Sequence, residues 1–106
     1  MLLTEVKKNI ECIKIYNLEE KNTRFNSIYT NSKNIKKLSI FAIENKKTLK
    51  KEYIEEALKK GAVGILTNKQ IKNIKVTQFI VKNVSSSLCI LLNKIKPNKP
   101  LNSIAI

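Results

Sequence analysis

Two short polar stretches carry the residues best suited to chemistry. Thr30-Asn31-Ser32-Lys33 places two hydroxyls, an amide and an ammonium in four consecutive positions. Asn45-Lys46-Lys47-Thr48 repeats the mixture fifteen residues later. Hydroxyls and backbone groups can satisfy the polar edge of a base, and lysines can face phosphate, so together the two stretches read as a nucleotide site. The plainer alternative stays open on residues alone: Asn-Ser is a common turn pair, and Lys-Lys-Thr is a common solvent loop.

Other chemistry is excluded or weak. The chain has no histidine, which removes Ser-His and Cys-His nucleophilic pairs. Its two cysteines, Cys12 and Cys89, are too far apart in sequence for a zinc or redox spacing, and both are expected to be buried, reduced thiols. Glu52, Glu55 and Glu56 form the one acidic cluster, and at helical spacing it reads as a solvated face that suits a helix N-terminus. Gly61 and Gly64 are the only glycines, so there is no G-x-G-x-x-G and no Walker loop. No catalytic residue and no metal ligand is assigned.

The elements that must position the two stretches follow from the apolar pattern. Leu3, Val6, Ile10 and Ile13 predict a short helix within residues 2–15. Phe25 to Tyr29 alternates as a strand, and Asn31-Ser32 turns the chain. Ser39 to Ile43 is apolar without a break, which predicts a strand buried on both faces. From Lys51, Tyr53, Ile54, Ala57 and Leu58 form one helical stripe, and Gly61 follows as a left-handed closure. Ala62 to Thr67 and Val76 to Val81 are further strands. Asn83 or Ser85 caps a last helix with Val84, Leu88, Leu91, Leu92 and Ile95 inward. Lys96-Pro97 ends it, Pro97-Asn98-Lys99-Pro100 reads as a linker, and Ser103 to Ile106 begins a new strand. This order predicts an α/β fold: a small, mostly parallel sheet with two to three helices. Both polar stretches then leave the carboxyl ends of strands, where such sheets bind ligands.

At 106 residues the chain is one small domain. Its formal net charge of +13 would suit an anionic partner. However, 20 of the 21 basic residues are lysines scattered along the chain, and Arg24 is the one arginine. Base-edge and phosphate recognition favours arginine's planar fork, so the charge reads as compositional bias and points away from nucleic acid. No apolar run is long enough to span a bilayer, and the N-terminus lacks a signal-peptide core. A soluble cytoplasmic protein without membrane contact is the expectation.

The order and spacing of the motifs resemble the first domain of the Mur ligases, ATP-dependent enzymes that build the peptidoglycan stem peptide. Asn31-Ser32-Lys33 is similar to that domain's Asp-Ser-Arg turn, Ile40-Phe41-Ala42-Ile43 to its strand, and Tyr53-Ile54, Ala57 and Gly61-Ala62 to its helix and exit. Pro97-Asn98-Lys99-Pro100 resembles the hinge, and Ser103 to Ile106 the strand entering the ATP loop. The family's Gly and Asp-Gly are missing from the loop around Asn45. The resemblance covers residues 25 to 106 and implies a substrate-binding domain at 1–97, then a hinge and the first strand of a central domain at 98–106. It also implies that Thr30, Ser32, Lys46, Lys47 and Thr48 contact UDP-N-acetylmuramoyl-dipeptide. ATP and Mg2+ would act in the central and C-terminal domains and would not bind here, so this chain alone would be inactive and would bind substrate weakly or not at all. The hinge favours the ligases adding diaminopimelate or lysine. Alternatives are the D-Ala-D-Ala-adding ligases, the uridine-binding domain of a lipid A glucosamine acyltransferase, and a basic nucleic-acid module.

Overall fold

The computed structural model describes residues 1–18, 23–44 and 50–95. Five strands form one sheet in the order β1-β5-β4-β3-β2. They are β1 (Lys14–Tyr16), β2 (Ser27–Tyr29), β3 (Ser39–Ala42), β4 (Ala62–Thr67) and β5 (Thr77–Ile80). Strands β2 to β5 pair in parallel, and β1 joins β5 antiparallel at one edge. The helices are α1 (Leu3–Asn9), α2 (Lys51–Lys59) and α3 (Val84–Ile95). This is the expected α/β class and mostly parallel sheet.

Burial on both faces accounts for the unbroken apolar runs. In β3, Ile40 and Ala42 join the core under α1 and α3, with Leu3, Val6, Phe25, Leu66, Phe79 and Leu91. Phe41 points the other way, into the core under α2 with Ile35, Ile54, Ala57 and Ile65. Successive strand side chains face opposite ways, so a central strand covered on both sides has no position for a charge. The connection from β4 to β5 contributes Ile71, Ile74 and Val76 to the α2 core.

Gly61 closes α2 as expected, at φ +106°. Its N–H donates to the Leu58 carbonyl at 3.2 Å, and its own carbonyl accepts from Leu38 N–H at 3.1 Å. A Cβ there would lie 2.9 Å from the Lys37 Cα, a backbone atom that cannot swing aside. Gly61→Ala is therefore expected to destabilise the chain by about 2 kcal/mol, from the left-handed backbone plus the contact. Urea unfolding reads this as a lower midpoint at unchanged slope.

Three expectations are corrected. The N-terminal helix stops at Asn9, and Ile10 is already extended at φ −135° and ψ 154°. Ile13, the expected fourth core position, is 68% exposed. Its N–H donates to the Ile80 carbonyl at 2.7 Å, so the open edge of β5 captures the chain as a strand. Helix α3 starts at Val84 as expected, and Asn83 caps it by accepting from Ser86 N–H at 3.0 Å; its expected end at Lys96-Pro97 lies outside the described residues. Its inward face is Val84, Ser87 and Leu91, with Leu88 and Ile95 partly buried against the same core as expected, while Leu92 lies out at the flank. Cys89 is exposed on that outer side, and Cys12 is half-buried. The expected hinge and last strand, and the boundary at residue 97, lie outside the described residues.

Candidate functional site

The parallel pairing of β2 with β3, Ser27 beside Ser39 through Tyr29 beside Phe41, sends both strands off the same edge of the sheet. The polar turn after β2 therefore starts beside the end of β3. Lys46, Lys47 and Thr48 lie outside the described residues, so Thr30 and Ser32 are the expected site residues whose positions are described.

The turn is built locally and then fastened to α2. The Asn31 side chain accepts from Lys33 N–H at 2.9 Å, and Asn34 N–H reaches the Asn31 carbonyl at 3.0 Å. This Asx-type closure winds Ser32–Asn34 into one turn of 3-10 helix. The Ser32 hydroxyl then donates to Glu56 Oε1 at 2.8 Å, and Lys60 Nζ donates to the Lys33 carbonyl at 2.8 Å. Thr30 is exposed and Ser32 is buried. The two hydroxyls share one turn but differ in setting: Thr30 meets solvent, and Ser32 is held against the helix.

Glu56 is the residue that sequence reasoning missed. It belongs to the acidic cluster read as a solvated face, yet it is half-buried, while Glu52 and Glu55 are exposed as expected. Its partner lies 24 positions away, beyond any local spacing rule. At the carboxyl end of β4, the Thr67 hydroxyl is buried and finds no hydrogen-bond partner among the described residues.

Elsewhere the structure offers little chemistry. A groove of about 580 Å³ runs between α2 and the β4–β5 connection, floored by Ile54, Leu58, Ile71 and Ile74. Neither Thr30 nor Ser32 lines it. Burial pushes the Cys12 thiol above its ordinary pKa, which keeps it protonated and a poor nucleophile at neutral pH. Among the described residues no three acidic, histidine or cysteine groups converge to hold a metal, and no helix is long and apolar enough to cross a membrane.

No family profile matches the chain. Individual proteins do. The chain is 38% identical over 78 residues, 72% of its length, to the UDP-N-acetylmuramoyl-L-alanyl-D-glutamate–2,6-diaminopimelate ligase of Rickettsia rickettsii. The ligase of the same name from Rickettsia montanensis matches equally. Over this match the chain belongs to the Mur ligases. It spans 16% of the length of these curated relatives. Its fold is also that of part of the MurF ligase from Thermotoga maritima, solved in complex with ADP, at a TM-score of 0.52 and 24% identity, covering 76% of this chain and 18% of that one.

Proposed function

We propose that this chain is the substrate-binding part of an ATP-dependent Mur ligase of peptidoglycan synthesis, holding the uridine end of UDP-N-acetylmuramoyl-L-Ala-D-Glu in the cytoplasm. The amino acid added by the whole enzyme is diaminopimelate or lysine. The observation that carries the reading is the 38% identity to diaminopimelate-adding ligases. The polar turn leaving the carboxyl end of a parallel strand supports it, as ligands of open α/β sheets sit there. In this reading Thr30 and Ser32 contact the nucleotide, and Lys46, Lys47 and Thr48 line the same pocket.

ATP with magnesium would supply the phosphoryl group that activates the substrate carboxylate. The described residues do not fit that group: they contain no converging acids, and neither glycine of the chain lies in a phosphate-cradling loop. No ligation step is therefore derived from these side chains. Their part is to bind and orient.

Titration of the 106-residue chain with UDP into the millimolar range, followed by amide NMR shifts, tests the reading. Shifts are expected around Thr30–Lys33. Ser32→Ala is expected to weaken binding about five- to ten-fold, the worth of one hydrogen bond. Unchanged affinity in Ser32→Ala removes Ser32 from the site, and no shift at millimolar UDP means that these 106 residues do not hold the nucleotide by themselves; unchanged affinity for the UDP-linked substrate on Ser32→Ala in the full-length ligase overturns the assignment of the turn.

A further inference from the structure

We infer that the lysines gathered around Leu38, at the amino end of the sheet, form a docking surface for an anionic lipid bilayer. The inference is independent of the substrate reading and departs from the expectation of no membrane contact.

In the sequence the basic residues look scattered, but the fold brings two pairs of them together. Lys36-Lys37 ends the crossover from β2 to β3, and Lys59-Lys60 ends α2. The two segments meet where Leu38 N–H donates to the Gly61 carbonyl at 3.1 Å. They pack so closely that a Cβ added at Gly61 would lie 2.9 Å from Lys37 Cα. Lys60 Nζ donates to the Lys33 carbonyl at 2.8 Å and fastens them a second time. All four lysines are exposed. Neither the run from Ser32 to Ser39 nor that from Ala57 to Ala62 contains an acid. Glu56, the acid next to them in sequence, already accepts from the Ser32 hydroxyl.

Leu38 lies between the two pairs and is 42% exposed. Its backbone is left-handed, at φ +59°, where a bulky side chain is rare. Such strain persists only where the surroundings impose it. Here Gly61 holds the Leu38 N–H, and the Leu38 carbonyl accepts from Asn26 N–H at 2.7 Å. The chain thus keeps an aliphatic side chain partly in solvent, within a basic surface.

That combination suits a bilayer. Clustered lysines are drawn to an anionic leaflet, and an aliphatic tip gains from burial at the headgroup boundary. Lysine is a compact, hydrated point charge that meets a fluid array of phosphates, whereas nucleic-acid recognition favours arginine's planar fork. The contact is peripheral, so it needs no membrane-crossing helix. The surface brackets the starts of β3 and β4, which run parallel to β2. The turn at Thr30 leaves the opposite end of β2, so docking leaves that turn uncovered.

Co-sedimentation of the 106-residue chain with mixed phosphatidylcholine–phosphatidylglycerol vesicles, against phosphatidylcholine alone, tests the inference at about 0.1 M salt. Binding is expected to the mixed vesicles only. Lys36→Gln/Lys37→Gln is compared with Lys72→Gln/Lys75→Gln, two exposed lysines of the β4–β5 connection, so both variants lose the same net charge. The first pair is expected to weaken binding about five-fold for each lysine at the surface, roughly twenty-five-fold together. The second pair is expected to weaken it less than about three-fold. Equal losses mean attraction by net charge alone and overturn the inference. Leu38→Asn keeps the charge and suits the left-handed backbone; it is expected to weaken binding about four-fold. Unchanged binding there overturns the part assigned to Leu38. Failure to bind the mixed vesicles overturns the whole. So does a loss in Lys36→Gln/Lys37→Gln that is confined to a duplex oligonucleotide, which assigns the patch to nucleic acid.

Discussion

Phe79→Ala is expected to be the most damaging single substitution considered, lowering stability by about 4 kcal/mol. Phe79 sits in β5 with no exposed surface, in the core shared with Leu3, Val6, Leu66 and Leu91. Truncating a buried phenylalanine removes its transfer free energy and leaves a cavity, together worth about 3–5 kcal/mol. A domain of this length holds roughly 5–15 kcal/mol in all, so the variant would lose a large share of its stability. Strand β5 also links β4 to β1, so the loss reaches the N-terminal strand. Ile13→Ala is the control. At 68% exposure it should change stability by less than about 0.5 kcal/mol. Guanidinium unfolding of both variants checks the pair. A large loss at Ile13 would restore the continuous N-terminal helix suggested by the apolar spacing, and a small loss at Phe79 would contradict its place in the core.

That contrast shows where the fold was legible. Local signals sufficed in the middle of the chain. Ala62–Thr67 has the bounds expected of a buried strand, α2 begins at Lys51, and Gly61 takes the left-handed backbone that closes it. The N-terminus failed because its apolar residues satisfy two periods. Leu3, Val6 and Ile10 fit a helix, while Ile13 and Ile15 fit a strand, and the choice is made by the open edge of β5 more than sixty residues later. No window of local sequence contains that edge. The candidate site divides in the same way. The turn at Asn31 is encoded within four residues by its own amide, and it was legible. The bond from Ser32 to Glu56 joins two elements across the molecule, and Glu56 resembles Glu52 and Glu55 until the helix is laid on the turn.

Gln78→Leu is expected to cost about 3 kcal/mol and to loosen the connection between β4 and β5. Gln78 is polar on an inner strand, between the antiparallel β1 and the parallel β4, and 1% exposed, where an isolated amide would be costly. Its two ends explain its presence. Nε2 donates to the Ile71 carbonyl at 2.8 Å, and Oε1 accepts from Ile71 N–H at 2.8 Å. The side chain thus pairs with Ile71 much as a neighbouring strand would, and holds the connection across the α2 face of the sheet. Leucine preserves volume but removes both bonds. Two backbone groups of a half-buried residue lose their partners, each costing about 1–3 kcal/mol less whatever water recovers. At about 4–8 °C per kcal/mol for a domain of this size, the melting temperature should fall by roughly 12–24 °C. Hydrogen exchange separates this from a general loss of stability: the Ile71 amide should lose protection more than the amides of β4, because the clamp is local. Equal losses at Ile71 and in β4 would mean that the connection is held by Ile74 and Val76 in the core instead. The groove between α2 and this connection is lined by Ile71, so its shape should change with the clamp, while the turn at Thr30–Lys33, fastened independently through Glu56 and Lys60, should keep its geometry.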